Sequence, residues 1–114
     1  MSRYIFMVMT NASEGQDEAF NAWYTNKHLP DVFKIDGYVS AQRFKLIPKP
    51  GTPCAHRYLA LYEVETNDLA KTHAALAAAS GTDVMPWDPA FDSSSVIGWY
   101  FEPITERLPQ ANTG

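Results

Sequence analysis

The chain has 114 residues, which suits one domain and leaves too little material for two independent cores. Hydrophobic residues make up 46% and charged residues 19%, a balance that excludes a disordered tail. Nine basic against thirteen acidic side chains give a net charge of −4, and the basic ones are scattered rather than gathered into a stripe, which argues against a nucleic-acid surface.

A single cysteine, Cys54, rules out an internal disulfide. No apolar run could span a bilayer, and the first apolar segment is too short for a signal sequence, so a cytoplasmic protein is expected. Aromatic residues reach 13%, a surplus that suggests either an interface or a ring-lined pocket.

Residues 4–9 read as the first strand. Tyr4, Phe6 and Val8 fall on one face and Ile5, Met7 and Met9 on the other, so both faces should be covered. Ser13 and Gln16 have capping-box spacing, Glu14, Asp17 and Glu18 suit the positive end of a helix dipole, and Ala19, Phe20, Trp23 and Tyr24 recur at helical spacing. A helix over 14–27 follows. Pro30 disfavours helical backbone at Leu29, so a break is expected near His28, then one further turn over 31–35 before the stop at Asp36-Gly37.

The second strand is expected over 38–47, with Tyr38, Ser40, Gln42, Phe44 and Leu46 on one face and Val39, Ala41, Arg43, Lys45 and Ile47 on the other. The Pro/Gly-rich loop 48–53 cannot continue the ladder, and residues 57–65 return as a third strand in a hairpin with the second. Asn67 or Asp68 should cap a second helix that carries Leu69, Ala70, His73, Ala74, Leu76 and Ala77 up to Ser80-Gly81. Residues 82–93 look irregular, either a lid or a surface loop. The last strand, 95–101, sets Val96, Gly98 and Tyr100 against Ile97, Trp99 and Phe101, and the tail 104–114 is expected to be loosely held.

This order, βαββαβ over 1–114, predicts an α+β domain of the ferredoxin-like kind: a four-stranded antiparallel sheet with two helices on one face. Leaving Phe6, Tyr100 and their neighbours wet would expose a large apolar patch, so a homodimer with paired sheet faces is expected.

The run Trp23-Tyr24-x-x-Lys27-His28-x-Pro30-Asp31, followed by Gly37-Tyr38 and Ala41-x-Arg43-Phe44, resembles the dimeric α+β-barrel superfamily and, within it, the EthD-like proteins. The motif covers about the first 45 residues; the second half carries little family-specific sequence. The resemblance implies a homodimeric barrel with a pocket under the helices or in the barrel interior. It also implies a range of roles: accessory proteins of ether degradation, polyketide cyclases and dehydratases, lactone isomerases and, more distantly, cofactor-free monooxygenases and haem-handling proteins.

His28, at the expected helix break, is the first candidate for a general acid or base, with Asp31 to orient its ring; the alternative is a helix C-cap. Tyr24 lies one helical turn earlier and would hold a substrate oxygen, unless it merely bonds to backbone; neighbouring Trp23 belongs to the core or to a substrate pocket. Arg43, a cation in an apolar row, would bind a carboxylate or enolate oxygen, or else snorkel at the strand edge. Tyr58, Tyr62 and Tyr100 would line a pocket for a flat apolar molecule, or form a dimer interface.

His73 reads as a structural or surface residue and His56 as exposed, and no histidine spacing matches a metal site. The expected function is a cofactor-independent lyase or isomerase acting on a hydrophobic cyclic or aromatic metabolite. The alternatives are a non-catalytic metabolite-binding or accessory protein and, more distantly, a haem-binding protein.

Overall fold

Alternation of buried and open side chains places β1 (Ser2–Ala12) inside the sheet of the computed structural model, which describes residues 1–111. It pairs antiparallel with β3 (Tyr58–Thr66) on one side and with β4 (Phe91–Phe101) on the other. β2 (Tyr38–Lys45) lies outside β3, so the order is β2-β3-β1-β4. With helices between β1 and β2 and between β3 and β4, this is the ferredoxin-like α+β arrangement expected from the element order.

One face of the sheet is dry. Phe6, Val8 and Thr10 of β1 and Ala60, Tyr62 and Val64 of β3 are buried there beneath Phe20, Tyr24 and Val32 from the first helical stretch and Leu76 from the second. The opposite face carries Ile5, Met7 and Met9 beside Leu59, Leu61, Ile97, Trp99 and Phe101. There Trp99 is 60% exposed and Phe101 54%. The slab is 21 Å thick, which fits one sheet and one helical layer at about 10 Å each. Phe6 and Tyr100 therefore face the helices, and the wet residues are the other alternating set.

Several expected boundaries move. The first helix, α1, spans Asp17–Trp23, and Ser13 is no cap: its hydroxyl donates to the Pro89 carbonyl. Nor does the chain break at His28. It widens into a π-helical turn over Tyr24–His28 and continues as α2 (Leu29–Val32). Leu29 stays helical at φ −59°, ψ −47°, and its N–H donates to the Tyr24 carbonyl, five residues back. In a regular α-helix the Pro30 ring would clash with the Asn26 carbonyl; a wider turn just before the proline relieves that clash.

A bulge between Tyr38 and Ser40 shifts the phase of β2, so Tyr38 shares the helix-covered face with Ala41 and Arg43. Asp68 caps α3 (Leu69–Ala79) by accepting from the Lys71 N–H. β4 begins at Phe91, so the irregular stretch ends earlier than its composition suggested. Tail residues 104–111 are exposed, and 112–114 lie outside the described residues. No helix among the described residues is long and apolar enough to cross a membrane.

Candidate functional site

The π turn sets the position of His28. Residues five apart on an α-helix point about 140° away from each other, but here the Trp23 and His28 rings meet at 4.9 Å. Tyr24 meets the same imidazole edge-on at 4.7 Å. Such turns recur at functional sites because they re-aim side chains. His28 Nδ1 is buried and has no hydrogen-bond partner among the described residues. Burial pushes the imidazole down from 6.5 to about 4; the Asp31 charge opposes that shift and the Arg43 cation adds to it. The ring is therefore neutral at physiological pH.

His28 faces a cavity of about 250 Å³ between the sheet and the helices. Its floor is aromatic. Phe6 stands 5.9 Å from Tyr62 and 6.2 Å from His73, and the Tyr62 and Tyr24 hydroxyls share a hydrogen bond of 2.8 Å. Two phenols joined by one bond leave one O–H free to donate. Burial raises both, Tyr24 to about 12, so both remain protonated donors.

Gly98 is what lets Phe6 lie flat: a Cβ there would come within 2.9 Å of the Phe6 ring, which stacks on Tyr100 at 4.1 Å. Met85, wholly buried, and Trp87 bring the irregular segment over the cavity as part of its wall.

The other expected site residues are distributed differently. Trp23 packs between His28 and Phe91, outside the cavity lining. Arg43 neither snorkels nor reaches the cavity. Its guanidinium lies 4.5 Å from the Tyr24 ring centroid and donates to Asn21 Oδ1 at 2.8 Å and Thr25 Oγ1 at 3.1 Å. It borders a separate shallow groove with Tyr58. The Tyr58 hydroxyl donates to Asp17 Oδ2 at 2.6 Å; that bond, helped by Arg57, holds the Asp17 carboxyl below its usual range against the cost of burial.

Asp31 makes no hydrogen bond to His28. Its carboxylate is 2% exposed and lies between Lys27 at 3.1 Å and Lys34 at 3.2 Å. Those lysines are its helical neighbours, four residues before and three after, and so they reach it first. Oδ2 is within ion-pair reach of Lys27 without hydrogen-bond geometry; Oδ1 accepts the hydrogen bonds. Burial pushes this carboxyl up, but the two lysines outweigh it and the net shift is downward.

Tyr58, Tyr62 and Tyr100 all lie on the helix side of the sheet, away from the open face, and only Tyr62 lines the cavity. The Tyr100 hydroxyl bonds to Tyr38 at 2.6 Å and to His73 Nδ1 at 3.0 Å. His56 is half-buried rather than exposed, with Nε2 2.7 Å from the Ser95 carbonyl. The residue missed from the sequence is His73, which lines the cavity; its alanine-rich surroundings on α3 were the one available signal. Among the described residues no three His, Cys, Asp or Glu side chains cluster as metal ligands.

Fold and cavity define a ferredoxin-like α+β protein with a small, largely apolar pocket between its sheet and helices, open to solvent at one rim. The chain belongs to the family described as a domain of unknown function (DUF4286), whose model matches residues 3–82. No curated protein matches the chain.

Among solved structures, an EthD-like protein from Ralstonia eutropha superposes with a TM-score of 0.65 at 17% identity, covering 94% of this chain and 96% of that one. A MhuD variant with two manganese protoporphyrin IX bound per active site gives 0.59 at 16% identity, over 93% of this chain and 99% of that one. A DABB family protein with a ferredoxin-like fold from Mesorhizobium loti gives 0.59 at 12% identity, over 92% of this chain and all of that one. The EthD-like resemblance in the sequence thus meets EthD-like structures at the level of fold. Identities this low speak to fold alone.

Proposed function

We propose that the chain is a cofactor-independent enzyme that moves a proton on a small hydrophobic cyclic or aromatic metabolite, in lyase or isomerase chemistry. The observation that carries this reading is His28: a neutral imidazole in an apolar cavity, with a buried nitrogen that has no partner and a phenol pair beside it. In this reading His28 takes a proton from the carbon next to a carbonyl. The electron pair moves onto the carbonyl oxygen, and the free O–H of the Tyr24–Tyr62 pair donates to that oxygen. The imidazolium then returns the proton at a second carbon or to a leaving hydroxyl. Trp23 fixes the ring of the base. Arg43, over the face of Tyr24, draws the phenol pKa down and so strengthens it as a donor. Asp31 keeps the turn in place through its lysines.

The test is deuterium exchange at carbon next to the carbonyl of cyclic ketones and lactones, followed by proton NMR in D2O. His28→Ala is expected to lower the exchange rate by at least about a hundredfold. The wild-type rate should be flat at neutral pH and fall in acid, with a midpoint near the lowered His28 value of about 4. A variant that exchanges as fast as the wild type would remove His28 as the base.

A second reading is a metabolite-binding or accessory protein without turnover, favoured by the low basicity of His28. It is met if compounds bind unchanged and no exchange occurs. A porphyrin has less support, since the cavity measures about 250 Å³ and suits a single-ring compound better than a four-pyrrole macrocycle.

We infer in addition that the open sheet face pairs with a second copy. Phe44, Ile97, Trp99 and Phe101 are exposed together on one side of a thin slab, an apolar patch that a second copy would cover.

A further inference from the structure

The cavity presents two imidazoles, and only one of them has a role so far. His28 comes from the π turn after α1, and His73 comes from α3. The aromatic floor separates them: His73 meets Phe6, Phe6 meets Tyr62, Tyr62 bonds Tyr24, and Tyr24 meets His28. The walls between are mostly apolar, with Val8, Leu76, Met85 and Val96, and carry the hydroxyls of Thr10 and Ser80 besides. His28 sits at the more buried end and His73 at the exposed rim.

His73 is held in place. Its Nδ1 is 3.0 Å from the Tyr100 hydroxyl, which is itself 2.6 Å from the Tyr38 hydroxyl, and its ring stands edge-on to both Phe6 and Tyr100. Nε2 is then the nitrogen left for a ligand. No partner for it exists among the described residues.

We propose that the cavity takes a single-ring compound with a hydroxyl-type oxygen at each end, one bonded by His28 and the other by Nε2 of His73. This rests on the small-molecule reading of the cavity given above and names its substrate class. A volume of about 250 Å³ accommodates a single-ring compound. A purely apolar ring would leave the buried nitrogen of His28 unpaired, and a ring with one oxygen would forgo the added bond to His73 at the rim, each at a cost in affinity. A hydroxyl or enol oxygen both donates and accepts, so it satisfies an imidazole in either tautomer. Tyr100, with Tyr38 behind it, is a positioning residue that acts through His73.

The experiment titrates the protein with hydroquinone, 4-methylphenol and toluene, which have similar shape and carry two, one and no hydroxyl groups. Binding is followed by NMR at the Trp87 indole and the Gly98 amide. Hydroquinone is expected to bind about tenfold more tightly than 4-methylphenol, with toluene weaker again. His73→Leu should bring hydroquinone down to the level of 4-methylphenol while leaving toluene unchanged. Tyr100→Phe, which keeps the stack on Phe6 but releases Nδ1, should give an intermediate ratio. A hydroquinone preference that survives His73→Leu, or equal binding of all three compounds, overturns the two-ended site and leaves the small-molecule reading standing. If none of the three perturbs a cavity resonance, both readings fall together.

Discussion

His28 shows how a neighbour in sequence differs from a neighbour in space. Pro30 marked the place where the helix had to change, and that picked out the histidine. The same logic assigned Asp31 to it wrongly, because Lys27 and Lys34 occupy the helical positions that reach the carboxylate. His73 carried no comparable mark: a lone histidine among alanines acquires meaning only when β4 brings Tyr100 under it.

Burial of neutral His28 also has a consequence for stability. The unfolded chain takes up its proton near 6.5 and the folded one only near 4, so between these values the unfolded state holds more protons. Stability from this residue is fully present above about pH 6.5 and is lost progressively as pH falls to about 4, by about 3 kcal/mol at most. Asp17 and Asp31, lowered from 3.8, act only below that window. Urea unfolding of wild type and His28→Leu between pH 4 and 7 is expected to show this slope in the wild type alone. Parallel curves would mean that the histidine is not buried as a neutral ring.

Among the elements, α3 formed where its local signals put it, whereas the capping-box spacing at Ser13 did not start α1. Asp68 caps α3 through its side chain, and Asp68→Ala should cost about 1 kcal/mol, or about 4 °C in Tm by calorimetry. An unchanged Tm would show that the cap is redundant. Elements whose form depends on packing escaped the sequence. The π turn has no pattern of its own, and Pro30 could equally have ended the helix. The bulge at Tyr38 left the strand in place but reversed the phase of its first residue, carrying that tyrosine to the side where it bonds Tyr100. A shift of one residue turns a strand side chain to the other face, and alternation read from the sequence cannot detect the bulge that causes it.

For the molecule as a whole, the open face is the dominant feature. Trp99 pairs with Met7 in the sheet and projects from the side away from the helices, so its replacement should leave the core intact. Analytical ultracentrifugation is expected to find a dimer for the wild type and a monomer for Trp99→Glu, both with unchanged far-UV circular dichroism. A monomeric wild type would end the pairing proposal.

Composition and periodicity determined by themselves the element order, the sheet with helices on one face and the excess of apolar surface, because each depends on local spacing. Only the tertiary structure decided which aromatics face the helices, that Arg43 lies on Tyr24 outside the cavity, and that His73 belongs to it. Those outcomes depend on strand register, a bulge and a wide helical turn, which are settled when distant segments pack and compete for the same space.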